Sequence, residues 1–257
     1  MVTDLVLAFA AGLVIATVTA PVGVSGAVFM LPIQLTVLDV ANPSVTPTNL
    51  LYNVIAGPGA LLRYRRSGLL AGPLTRLLLA GTVPGMIAGA VVRVVLLPGP
   101  DAFRVVAGLI LLMLGLWLVW RTTSQRRMHR PLTSPALVAL ALGVGVVGGV
   151  YGIGGGSILS PILVGSGMTV AVVAPAALAS TFVTSIIGAC TFAVLALFAH
   201  GPITPNWPIG IACGLGGLAG GYLGARLQPF LPERALRLLL GSLAISIGGS
   251  YLLQSAL

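Results

Sequence analysis

Charge is scarce in this 257-residue chain. Asp, Glu, Lys and Arg make up 7% of residues, against about 25% in a soluble domain. There is no lysine, and four acids stand against 13 arginines. Asp4, Asp39, Asp101 and Glu233 all fall near the ends of apolar stretches, which argues against a carboxylate proton relay through a membrane. The two cysteines, Cys190 and Cys213, lie inside apolar segments with neither metal-ligand spacing nor a disulfide framework, and read as small hydrophobes. His129 lies in a polar stretch and His200 in a loop, so no intramembrane metal site is expected. There is no GxxxxGK[ST] motif for ATP hydrolysis. No nucleophile–base pair recommends an enzyme, and no cofactor is expected.

Apolar sequence fills the rest. Hydrophobic residues make up 57% of the chain, the mean hydropathy is +1.10, and stretches long enough to cross roughly 30 Å of hydrocarbon recur throughout. The expected class is an all-α integral membrane protein. A net charge of +9 would suggest nucleic acid in a soluble protein. Here the arginines sit in short loops between apolar spans, which points to membrane orientation and not to nucleic acid. The N-terminus carries Asp4 and no basic region, so it reads as a first membrane segment and not a cleaved signal.

Turn and charge signals divide the chain into ten apolar pieces. The first five are 4–20, 21–38, 47–62, 70–92 and 101–120. After a basic linker, 121–134, come 135–150, 152–165, 169–198, 208–227 and 232–253. A glycine-rich cluster occurs once in each half. PVGVSGAVFMLP, Pro21 to Pro32, aligns with VYGIGGGSILSP, Val150 to Pro161, placing Gly23, Gly26 and Pro32 on Gly152, Gly155 and Pro161. Further along, the Leu97–Gly115 stretch parallels Leu231–Gly249, and PGMIAGA (84–90) parallels GGLAGGY (216–222). The domains expected are a first repeat, 1–120, a cytoplasmic linker, 121–134, and a second repeat, 135–257. Arginine placement favours inverted topology. With inverted repeats, eleven arginines face the cytoplasm and two, Arg93 and Arg104, face out; with parallel repeats, eight face in. The first two pieces of each repeat are short enough either to span or to re-enter.

Matching breaks in membrane helices are where transporters commonly bind substrate. Glycine permits helix-breaking conformations and close backbone approach. N–H groups at the start of the following half-helix then suit an anion. Gly154, Gly155, Gly156 and Ser157 are the expected donors, with Ser25, Gly26 and Ala27 in the first copy. For the GGGS run a break is favoured over tight packing; for PGMIAGA and GGLAGGY packing is favoured. Asn49 and Asn53 share a helix face, and Ser180 and Thr181 follow the second cluster. Neutral donors suit an oxyanion and cost less to bury than charges. For the asparagines, interhelical hydrogen bonding is an equal alternative, and for Tyr52 it is preferred.

The duplicated cluster, the triplets Thr48-Asn49-Leu50 and Ser180-Thr181-Phe182, and the Leu-Pro-acid start of each last helix resemble the TauE/SafE sulfite exporter family over nearly the whole chain. The resemblance implies a bacterial inner-membrane permease for small sulfur-containing anions such as sulfite or organosulfonates. It nominates Ser25, Gly26, Thr48, Asn49, Gly154, Gly155, Gly156, Ser180 and Thr181 as site residues. Ser25 and Ala27 stand where the family usually has glycines. The second cluster is therefore the stronger candidate anion cradle, and the first reads as a degraded copy. The expected partners are a small anion and the lipid bilayer, with a homodimer left open. A transporter with alternating access leads; a channel-like anion pore and a non-transporting membrane scaffold are the alternatives.

Overall fold

In the computed structural model of the protein, the residues described are 2–96, 100–124, 133–198 and 203–230, apart from 43, 66, 67, 69 and 167, with scattered positions between 232 and 253. Among them are nine α-helices and no strand. α1 (Val2–Thr19) runs into a 3₁₀ turn, Ala20–Val22. A short α2 (Ala27–Thr36) precedes three long helices, α3 (Val45–Tyr64), α4 (Pro73–Val95) and α5 (Pro100–Thr123). The order recurs in α6 (Ser134–Tyr151), a short α7 (Gly155–Gly165), α8 (Val170–Ala196) and α9 (Trp207–Leu227). Arg126, Arg127 and Arg130 of the linker, the loop residue His200, and Glu233 and Arg237 lie outside the described residues.

Among the described residues, five stretches are long and apolar enough to cross a membrane: Val2–Val22, Pro73–Val95, Ser134–Tyr151, Val170–Ala196 and Trp207–Phe230. Large apolar side chains such as Val14, Met113, Val194 and Leu215 face outward, as a surface in contact with lipid requires. α2 and α7 have 10 and 11 residues. At about 1.5 Å per residue each covers roughly half of the hydrocarbon thickness.

Backbone conformation explains the breaks. Gly23 (φ 74°, ψ 22°) and Gly152 (φ 67°, ψ 23°) are left-handed, a conformation that ends helices and that glycine adopts without steric cost. The second break has another positive-φ residue, Gly154 (φ 72°, ψ 143°).

The two halves are interleaved. α4 packs along α6, and α9 packs along α1, the same pairing with the halves exchanged. Glycine rows make both contacts. A Cβ at Gly81, Gly85 or Gly89 would lie 2.3, 2.3 or 2.1 Å from the carbonyl oxygens of Val138, Leu142 and Val146. At Gly216, Gly220 or Gly224 it would lie 2.0, 2.1 or 2.4 Å from those of Phe9, Leu13 and Thr17. Any side chain there would push the helices apart. PGMIAGA and GGLAGGY are therefore packing surfaces. α9 also lies against α3, and α8 contacts both α3 and α4.

Arg93 corrects one boundary. The sequence pattern puts it in a loop after the fourth piece, but it sits in the last turn of α4 and is 1% exposed. Its Nε donates to Thr46 Oγ1 at 3.3 Å, and a terminal nitrogen donates to Asn42 Oδ1. Acceptors at the start of α3 and just before it let α4 continue past Val92 with the guanidinium buried.

Candidate functional site

α6 ends at Tyr151, so its last carbonyls lack helical partners. α3 supplies the donors from positions that share one helix face. Thr46 Oγ1 donates to Val150 O at 3.2 Å, Asn49 Nδ2 to Tyr151 O at 3.4 Å, and Asn53 Nδ2 to Gly152 O at 3.4 Å. Asn49 Nδ2 also donates to Ala27 O at 3.0 Å. The common face of the two asparagines thus closes the second break and touches the first.

Asn53 presents its Oδ1 to the first break, where it accepts from Ser25 Oγ. Ser25 Oγ accepts from Ala27 N at 3.2 Å, capping the start of α2. Ser25 N donates to Ser157 Oγ at 3.3 Å. Ser157 Oγ donates to Ile153 O at 3.0 Å and lies 3.3 Å from Thr181 Oγ1. A polar chain from Asn53 through Ser25 and Ser157 to Thr181 therefore joins both breaks to α3 and α8. Around the first break the exposed carbonyls have three separate donors. Tyr64 Oη bonds Ala20 O at 3.3 Å, Gln228 Nε2 bonds Pro21 O at 2.8 Å, and Ser160 Oγ bonds Val22 O at 2.7 Å.

A cavity of about 30 Å³ opens at the first break, above the roughly 10–15 Å³ that one water requires. Its polar wall is Thr19, Ser25, Gly26, Tyr52, Asn53 and Thr181; Ala16, Leu178, Phe182 and Gly217 are among the remainder. None of the lining residues is charged. Thr19 and Tyr52 are each 1% exposed, and neither hydroxyl has a hydrogen-bond partner among the described residues. A buried hydroxyl left unsatisfied costs about 1–3 kcal/mol. Two on one cavity wall mark a place for a polar occupant. A Cβ at Gly26 would lie 2.2 Å from Tyr52 Oη, so glycine at 26 is what lets the phenol reach this wall.

Ser25, Gly26, Asn53 and Thr181 are brought together on the cavity, with Ser157 hydrogen-bonded behind them. Ala27 is buried beside them with its N–H bonded to Ser25. Asn49 lies behind the wall, its Oδ1 buried without a partner. The remaining nominees are placed elsewhere. Gly155 N donates to Thr184 Oγ1 at 3.4 Å. Cβ atoms at Gly154, Gly155 and Gly156 would meet Thr181 Cγ2 at 2.5 Å, Thr82 Cγ2 at 2.5 Å and Ala177 O at 1.9 Å. This run is packed against α4 and α8. Ser180 Oγ lies 3.1 Å from Thr82 Oγ1 across the α4–α8 contact. Thr48 Oγ1 donates to Ser44 O at 2.7 Å and accepts from Asn206 N at 2.8 Å, anchoring the start of α9.

Thr19 is a cavity residue that the sequence pattern did not single out, and Tyr52, expected to make an interhelical hydrogen bond, instead leaves its hydroxyl unpartnered on the cavity wall. Their signals were faint: a hydroxyl two residues before Pro21, and a phenol next to Asn53.

A family model described as Sulfite exporter TauE/SafE matches residues 8–251. The chain belongs to the TauE/SafE sulfite exporter family. No curated protein and no solved structure matches it. The matched range of this TauE/SafE protein takes in both breaks, the donor ladder on α3 and the cavity. With its apolar helices, the chain is a multi-pass membrane protein of a transport family.

Proposed function

We propose that this TauE/SafE protein is a permease for small sulfur-containing oxyanions, and that the anion binds in the cavity at the start of α2. The observation that carries this reading is the pair of buried, unpartnered hydroxyls of Thr19 and Tyr52 on the wall that holds Gly26 and Asn53. The N-terminal end of α2 adds the positive end of its helix dipole. The family supplies the substrate class.

Transport proceeds by alternating access between inverted repeats, 1–120 and 135–257, with the linker 121–134 on the cytoplasmic side of the bacterial inner membrane. The reciprocal pairing of α4 with α6 and α9 with α1 supports such repeats. The packing, however, crosses between the sequence halves. Glycine-lined contacts join α9 to α1 and α3, and α6 to α4, while α8 lies against both α3 and α4. The cavity has α1, α3 and α9 on one side and α8 on the other, where relative motion would open it.

Sulfite flux into proteoliposomes tests the reading. Wild-type protein carries sulfite, and Asn53→Ala reduces flux at least tenfold while the protein remains folded. Undiminished flux in Asn53→Ala, or none in the wild type, overturns it.

A further inference from the structure

We infer that the cavity selects compact oxyanions carrying a single charge, so that sulfite enters as hydrogen sulfite and not as the dianion. The inference rests on the anion site proposed above and concerns which ionic form that site accepts.

Among the described residues, the cavity wall holds no charged side chain. The cost of moving an ion out of water rises with the square of its charge, so a dianion costs about four times as much as a monoanion of the same size. Few donors are available to offset that. Ser25 Oγ donates to Asn53 Oδ1, and Ala27 N donates to Ser25. Thr181 Oγ1 shares a hydrogen bond with Ser157. The hydroxyls of Thr19 and Tyr52 are unengaged. A hydroxyl also accepts a hydrogen bond, which an ammonium or guanidinium cannot do. The pair can therefore donate to the oxygens of a singly charged anion and accept a hydrogen bond from its remaining acidic hydrogen, which stays on the anion. With about 30 Å³, the cavity holds about two waters, which favours a compact occupant.

Chlorate has the pyramidal shape of sulfite and one negative charge at every working pH. Sulfate keeps two charges, and sulfite gains a proton near neutrality. Tyr52 is the ionisable residue of the wall, and Cys213 lies one turn from Gly217 on α9. The pH-dependence of chlorate binding reports any titration of the protein.

Thermal-shift titrations of the purified full chain with each salt, between pH 6 and pH 9, test the inference. It predicts chlorate binding that is independent of pH and no binding of sulfate. It also predicts an apparent Kd for total sulfite that rises about tenfold per pH unit above the anion's own pKa. Tyr52→Phe should weaken sulfite at pH 6 about tenfold and chlorate less, because only hydrogen sulfite uses the phenol as an acceptor. Sulfite binding unchanged across the pH range, or sulfate binding as tight as chlorate, overturns the inference while leaving an anion site in place. Failure of all three anions to bind removes the site itself.

Discussion

At the second break a Cβ on any of three successive glycines would clash with α4 or α8, and the first N–H of α7 is held by Thr184. At the first break a serine replaces one glycine, its hydroxyl caps α2, and a cavity remains beside Gly26. The carbonyl ends differ in the same sense. One ladder on α3 closes the end of α6, whereas Tyr64, Gln228 and Ser160 close the end of α1 from three elements. Glycine density thus reports how closely backbones approach, and not where space is left for a ligand. The cluster richer in glycine is the packed one.

The largest contrast is expected between alanines placed at the two breaks. In Gly156→Ala the new Cβ meets a backbone oxygen, Ala177 O, at 1.9 Å. Relief requires α7 and α8 to separate, at a cost of about 2–3 kcal/mol. In Gly26→Ala it meets the end of a side chain, Tyr52 Oη, which can move for about 1 kcal/mol or less. Unfolding in detergent should rank Gly156→Ala well below Gly26→Ala, while anion binding is lost in Gly26→Ala. Equal destabilisation would erase the difference between the breaks.

Asn53→Ala comes next. It removes the donor to Gly152 O and the acceptor for Ser25 Oγ, for an expected loss of about 2 kcal/mol. Because it serves both breaks, it should lower stability and anion affinity together. Loss of one alone would separate the breaks energetically.

Exchanging the residues at the two break positions has smaller effects. Gly154→Ser places a side chain at φ 72°, at about 1–3 kcal/mol. Ser25→Gly removes the hydroxyl bonded to Asn53 Oδ1 and Ala27 N, for about 1 kcal/mol. Melting curves of the two variants check this order, and a greater loss in Ser25→Gly would contradict it.

Much of this architecture was legible in the sequence. Apolar runs bounded by Gly and Pro placed the described helices within about three residues, except that the second piece began six residues before α2, and the aligned clusters marked both breaks. Arg93 escaped because burial of an arginine depends on acceptors from elsewhere in the chain, Asn42 and Thr46. Of the nominated site, Ser25, Gly26, Asn53 and Thr181 converge, whereas Thr48 and Ser180 bond to neighbouring helices. Thr19 could not be singled out, and Tyr52 reads in the sequence as an interhelical hydrogen bonder. A hydroxyl on an apolar helix looks the same in sequence whether its partner is a carbonyl one turn away, as for Thr17 and Leu13, or is missing, as for Thr19.

The central claim is that the anion lies at the first break, and sulfite affinity in two conservative variants tests it most directly. Tyr52→Phe removes an unpartnered hydroxyl at the first break, and Thr184→Val removes the acceptor for Gly155 N at the second. The prediction is a loss of about tenfold in Tyr52→Phe with a melting temperature no lower than wild type in the absence of anion, and wild-type affinity in folded Thr184→Val. Wild-type affinity in Tyr52→Phe together with lost binding in Thr184→Val would place the anion at the second break and contradict the account.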